Sequence, residues 1–373
     1  MSFQATKREI GELYTFFTLL SDGRVNSGTP DLSDAGRGSR PVAFIEREEH
    51  DGPRRYYVEK EDIRILPGTR GKDGLFVPGA DGEMLFPRAD FAGAARLLWA
   101  LLKQSGDEAE VPDALEGFLD AVRIYDLEAK TDDRTDFRVA FWHPEAPLIG
   151  FVVRCRLAPM NPLLDGGRTA NLKFEQTGVK FAVPTVNKIN ALPESPTEVA
   201  DRMRLIERLG GVLKYNDVAD KVFRCNLLMI DLHFPRMLAE MVRLMHLEGI
   251  SRIAELTALI RDINPLKIKD ELIRKHGFYE YKVKQFLMAL ALGMRPAKIF
   301  TGRASAIDGM LLTDGEGRVW GYDRSAPEVF SDFLYQNSRL EKGPLEKDKY
   351  GFLERENGVW YFKLNAKIGL IKR

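Results

Sequence analysis

The chain has 373 residues, 44% of them hydrophobic and 29% charged, with 55 Lys and Arg against 55 Asp and Glu. That is long enough for one large domain or two medium ones with a sizeable core, and the balance excludes wholesale disorder, a fibrous repeat and a disulfide scaffold. A net charge of zero does not exclude nucleic acid, because binding needs a local basic face rather than a basic total.

In chain order, 6–20 predicts an amphipathic helix, with Ile10, Leu13, Tyr14, Phe17 and Leu20 as its buried stripe and Ser21-Asp22-Gly23 as its stop. Residues 24–40 are rich in Gly, Ser, Asp and Arg and predict a loop. Short strands are expected at 41–46, 55–59 and 62–66, and helices at 91–103 and 113–124. Two strand-like runs follow at 135–142 and 148–157, joined by a hairpin link from His143 to Pro147. A Pro/Gly/Asn-rich loop (158–170) leads into a strand at 171–175. Helices are expected at 195–211, 228–248, 251–262, 266–276 and 280–293, then strands at 309–313, 317–322 and 359–363, with a helix near 327–336. This order is α+β (mixed α/β). The textures suggest a core region at 1–190, a helical region at 191–300 and a C-terminal α/β region at 301–373.

Cys155 and Cys225 both sit in strand-like apolar runs and lack CxxC spacing, so they form no zinc knuckle and suggest a reducing compartment. The opening MSFQATKREIGELY has no apolar h-region, and the longest apolar run, 286–294, is too short to span a bilayer, so a cytoplasmic protein is expected. Charge is uneven: 104–136 carry eleven acids and three bases, 150–190 six bases and two acids, and the last 35 residues nine bases and five acids. A basic groove balanced by an acidic outer face is one reading, and a set of solvated surfaces is the other. There is no GxSxG elbow, P-loop or HExxH. His233, His246 and His276 lie in segments expected to be helical, at no metal-ligand spacing.

One pair carries possible chemistry. Asp136 opens one strand, and the next ends in Gly150-Phe151-Val152-Val153-Arg154. A carboxylate on one strand and a cation on its neighbour is the skeleton of the PD-(D/E)xK nuclease site. Phosphodiester hydrolysis needs a hard divalent cation held by carboxylate oxygens and a fixed positive charge near the developing anion. By spacing alone the same pair also reads as a surface ion pair.

Ordered blocks along the chain add to this. Lys7-Arg8-Glu9-Ile10-Gly11-Glu12-Leu13-Tyr14 with Leu19-Leu20-Ser21-Asp22-Gly23-Arg24, the block from Asp136 to Glu175, Ala289-Leu290-Ala291-Leu292-Gly293-Met294-Arg295-Pro296 and Tyr361-Phe362-Lys363-Leu364-Asn365 together resemble the HpaII family of type II restriction endonucleases. The resemblance implies a PD-(D/E)xK-like core sheet flanked by helices. It implies a Mg²⁺-dependent enzyme that cuts double-stranded DNA at a short CCGG-like palindrome as a homodimer, alongside a cognate DNA methyltransferase. It places Asp136 on the family's metal-binding aspartate, Glu9 and Glu12 on the glutamates of its first helix, and Asn171 and Glu175 on the Asn and Glu of its central block. Arg154 falls on a lysine of the family pattern. This is a departure, because a guanidinium stays protonated and cannot act as a base, though it can stabilise transition-state charge.

Val152 stands where the second acid of the nuclease motif belongs, so a further metal ligand is needed: Glu175 first, Glu12 second. Lys173 and Glu175 project to one face of a strand and would supply a relocated lysine and carboxylate, or a plain cross-strand salt bridge. Glu9 and Glu12, three apart on a helix, share a face as metal-site groups or as solvated acids. DNA contacts are expected from Arg156, Asn161, Arg168 and Asn171, whose side chains suit base edges or phosphates, and from a basic tail of Arg355, Lys363, Lys367, Lys372 and Arg373. The alternative function is a DNA-binding protein of the same fold with weakened or lost cleavage, and a third is an interaction protein without DNA.

Overall fold

The computed structural model describes residues 3–33, 38–79, 82–104, 106–129, 131, 134–142, 147–302 and 305–372. The link 143–146 and Arg373 lie outside the described residues. The chain forms two compact units, one built from Met1–Asn161 and Ala304–Phe330 with Lys372–Arg373, the other from Pro162–Arg303 and Ser331–Ile371.

The first unit is a mixed sheet with helices. The helix Lys7–Asp22 starts at a capping box, in which the Thr6 hydroxyl accepts from the Glu9 N–H and the Glu9 carboxylate accepts from the Thr6 N–H. It ends at Gly23, whose φ of 66° satisfies the left-handed cap and lets its N–H reach the Leu19 carbonyl. Its expected stripe (Ile10, Leu13, Tyr14, Phe17, Leu20) is buried. Phe17 meets Phe91 of the helix Arg88–Leu102 edge-on at 5.4 Å. Truncating either ring to Ala costs about 3–5 kcal/mol.

The sheet runs Arg24–Ser27, Val319–Asp323, Gly309–Thr313, Ile149–Cys155, Phe137–Phe141, Ser39–Glu49, Gly52–Val58, Asp62–Arg70 and Phe76–Pro78, with Met84–Pro87 also on Asp62–Arg70. Arg24–Ser27 pairs with Ser39–Glu49 as well, closing six strands into a ring. The 24–40 stretch is therefore not all loop: both of its ends enter the sheet. Phe137–Phe141 and Ile149–Cys155 are the expected antiparallel neighbours. Ile149–Cys155 also pairs in parallel with Gly309–Thr313. Parallel neighbours need a crossover, and here the intervening chain builds the second unit.

The second unit has a four-stranded antiparallel sheet, Gly211–Val218, Asn171–Gly178, Val359–Asn365 and Leu353–Glu356. A smaller sheet contains Leu164–Asp165, Lys367–Leu370 and Ser338–Glu341. Helices include Glu198–Arg208, Phe234–Glu248, Ile253–Ile263 and Phe278–Ala291. The single helix expected at 228–248 is broken. Lys221–Leu228 stops, Asp231 accepts from the His233 N–H at 2.8 Å in a turn, and the next helix starts with Pro235 in its first turn, where a missing N–H costs nothing. His233 thus precedes a helix, and Cys225 lies exposed on a helix rather than in a strand. Among the described residues no helix is long and apolar enough to cross a membrane.

Candidate active site

Asp136 lies just before Phe137–Phe141 and is tied twice to the neighbouring strand. Its N–H donates to the Phe151 carbonyl at 2.9 Å, and its Oδ2 accepts from the Val153 N–H at 2.6 Å. Glu12 approaches from the first helix. That approach depends on Gly11, because a Cβ there would stand 2.8 Å from the Cys155 Cβ. Glu12 is buried, and its Oε1 accepts from the Ala129 N–H at 2.8 Å. Arg154 donates through Nη1 to the Val153 carbonyl at 2.8 Å. Glu12, Asp136, Arg154, Arg8 and Asn161 all line one small cavity of about 40 Å³. That volume suits an ion or a water.

The two carboxylates line the same cavity, Glu12 buried and Asp136 half-buried. Burial first, then the charge of Asp136, push the Glu12 carboxyl up to about 8, against the pull of Arg47 and the Ala129 N–H. Burial also raises Asp136, against the Val153 N–H and the guanidiniums of Arg154, Arg8 and Arg47. A buried acid and a half-buried one, both raised by desolvation, are the condition a divalent cation relieves. The donor set is hard oxygen, and among the described residues no cluster of three or more acids, histidines or cysteines forms a closed cage. Magnesium is held through one or two carboxylates, with waters and substrate phosphates completing its shell, so these residues fit it.

The other expected residues are placed differently. Glu9 spends its carboxylate on the capping box, accepting from the Thr6 N–H at 2.7 Å and the Thr6 hydroxyl at 2.6 Å, and does not line the cavity. Glu175 and Lys173 lie on Asn171–Gly178 in the second unit. Lys173 pairs with Glu356 at 2.5 Å and sits over the Tyr361 ring, while Glu175 accepts from Asn216 at 3.4 Å. Lys363 bridges Glu354 and Glu356, each at 2.7 Å, and Lys367 pairs with Asp165. Asn171 is buried. It donates to the Asp348 and Lys349 carbonyls and accepts from Asn365, and these bonds brace the fold. Arg156 is buried in the first unit near Tyr322, while Asn161 and Arg168 are exposed.

Two residues at this site escaped the sequence reading. Arg8 pairs with Glu128 at 2.8 Å and donates to Asn161 at 3.3 Å at the mouth of the cavity. Its spacing of four from Glu12 on a helix was the available signal. Arg47, with none of its side chain exposed, stands 3.7 Å from Glu12. It lies in a charged run, Glu46-Arg47-Glu48-Glu49, that resembles a polar turn.

The profile described as HpaII restriction endonuclease matches residues 6–370. The type II restriction enzyme HpaII of Haemophilus parainfluenzae is 26% identical over 371 residues, covering 98% of each chain. No solved structure matches the chain. With the fold and the cavity in place, a match across nearly the whole length makes this protein a member of the HpaII restriction endonuclease family and a site-specific deoxyribonuclease.

Proposed function

We propose that this protein is a Mg²⁺-dependent type II restriction endonuclease that cuts double-stranded DNA at a short CCGG-like palindrome. The observation that carries the reading is the convergence of Glu12, Asp136 and Arg154 on one cavity in a chain of this family. The antiparallel run Ser39–Glu49, Phe137–Phe141 and Ile149–Cys155, followed by parallel Gly309–Thr313, supports a PD-(D/E)xK-like core.

Asp136 and Glu12 would hold the ion, which supplies charge neutralisation at the scissile phosphate and activation of the attacking water. Glu12 takes precedence over Glu175 because it shares the cavity with Asp136. The Val153 N–H fixes the Asp136 carboxylate before DNA arrives. Arg154 stabilises negative charge as it develops at phosphorus and, being permanently protonated, takes no proton from water. Arg8, half exposed at the mouth, is placed to meet a phosphate, with Asn161 and Arg168 as further DNA contacts. A palindrome calls for two active sites related by a two-fold axis, hence a homodimer. The protein acts in the cytoplasm beside a methyltransferase that protects the host sites.

Digestion of a long, fully sequenced DNA with and without Mg²⁺, followed by end mapping, tests this. Discrete ends at one short palindrome are expected. DNA that is retarded on a gel but never cut would favour a binding protein that has lost cleavage, the reading that the arginine at position 154 supports.

A further inference from the structure

Two arginines with essentially no exposed side chain face each other across neighbouring strands of the first unit: Arg47 of Ser39–Glu49 is the register partner of Arg54 of Gly52–Val58. Buried like charges side by side are costly unless each is paired and hydrogen-bonded. Both guanidiniums are held through their terminal nitrogens, while each Nε is left without a hydrogen-bond partner. Arg54 is held bidentately by Asp51 at 2.9 Å and donates to the Val122 and Arg123 carbonyls at 3.1 and 2.8 Å. Arg47 pairs with Glu49 at 2.6 Å and donates to the Asp126 and Leu127 carbonyls, both at 2.9 Å. Tyr56 completes the cluster by donating to Glu49 at 2.6 Å.

The pair thus clamps four carbonyls of an irregular segment, 122–127, that follows the helix Asp113–Ala121. Two residues further on, the Ala129 N–H holds Glu12. Only Arg47 also faces Glu12 itself, at 3.7 Å. The two clamps therefore differ in one respect that can be measured.

We propose that Arg47 is a positioning residue for DNA cleavage: by gripping the segment that carries the Ala129 N–H and by facing Glu12, it holds that carboxylate in the cavity it shares with Asp136, where a divalent cation would bind. The proposal rests on the Glu12–Asp136 reading of the active site. Arg47 touches no reacting atom. Its fork reaches Glu49, two carbonyls and the Glu12 carboxylate together, a task that a single ammonium cannot perform.

The test is titration of the DNA-free, full-length protein with Mn²⁺ by calorimetry, with the thermal midpoint and single-turnover cleavage measured on the same samples. Arg47→Met is expected to bind Mn²⁺ roughly 10- to 100-fold more weakly than the parent, and Arg47→Lys to recover part of that loss. Arg54→Met is the control. It should lower the thermal midpoint as Arg47→Met does, yet leave Mn²⁺ affinity unchanged. A folded Arg47→Met with parental Mn²⁺ affinity, or an Arg54→Met equally impaired in binding, overturns the proposal. If Arg47→Met does not fold, Arg47→Lys decides, and parental affinity there overturns it. Glu12→Gln and Asp136→Asn are titrated in parallel. Parental affinity in both refutes the active-site reading, whereas losses there with none at Arg47 refute the positioning role alone.

Discussion

The Asp136 carboxylate accepts the backbone N–H of Val153 at 2.6 Å, so the acid on one strand is anchored by the strand that also carries Arg154. One acceptor oxygen is thereby fixed by backbone, and the acid and the guanidinium are linked through one residue, Val153, whose N–H the acid accepts and whose carbonyl the guanidinium meets. An Asn at position 136 can accept the same bond but cannot carry the charge.

Asp136→Asn should therefore fold normally, bind duplex DNA at least as well as the parent, and cut at least about 10³-fold more slowly, the equivalent of roughly 4 kcal/mol of transition-state stabilisation. Gel retardation and single-turnover cleavage check this. Parental cutting would remove Asp136 from the centre.

Glu12 makes the metal-free protein lose stability as pH rises from acid to neutral. Its folded carboxyl keeps a proton to about pH 8, whereas in the unfolded chain it releases it near the ordinary glutamate value of 4.5. Between those limits the folded state binds more protons, so stability falls as pH rises from about 4.5 to 8 and then levels off, a change on the order of a few kcal/mol. Thermal midpoints across that range should decline for the parent and stay flatter for Glu12→Gln, and saturating Mg²⁺ should cancel the decline. Equal slopes for the two proteins would contradict the assignment.

Arg154→Lys restores the ammonium of the family pattern at a position beside Asp136. Cleavage should be retained or increased, with DNA affinity little altered. An inert Lys variant of an active parent would turn attention to Lys173.

The second unit carries its own acid sensitivity. Burial, with the nearby Lys342 charge adding to it, pushes His246 down to about 3. The unfolded chain takes up this proton near pH 6.5 and the folded chain does not, so stability is fully present above 6.5 and is lost as pH falls, by roughly 2–3 kcal/mol at pH 4.5. Denaturant titrations at pH 7.5 and 4.5 should show a smaller acid loss in His246→Leu. An unchanged loss would assign the effect elsewhere.

The parts of this protein legible from its sequence are those governed by local rules. The first helix has a clean apolar period, a Thr6/Glu9 box and a Gly23 stop, and it forms as expected. Asp136 and Arg154 are on strands that alternate clearly, and register alone brings those strands together. What the sequence hid depends on distant partners. Gly211–Val218 follows a predicted helix and is assigned no element from sequence, yet it pairs with Asn171–Gly178 along its length. Arg47 and Glu49 look like solvated turn residues and are buried because they neutralise each other and Arg47 grips carbonyls some eighty positions away. Strand spacing, which favours Glu175 as a second ligand, is visible in a sequence. The approach of a helix to a strand across Gly11 and Cys155 is not.

Whether Glu12 and Asp136 share one divalent cation is decided by crystallography of the protein with Mn²⁺, through the anomalous signal of the ion. A peak is expected in the cavity beside Arg154, with carboxylate oxygens of both residues in its coordination shell. A peak instead at Glu175, with none between Glu12 and Asp136, would contradict a shared ion.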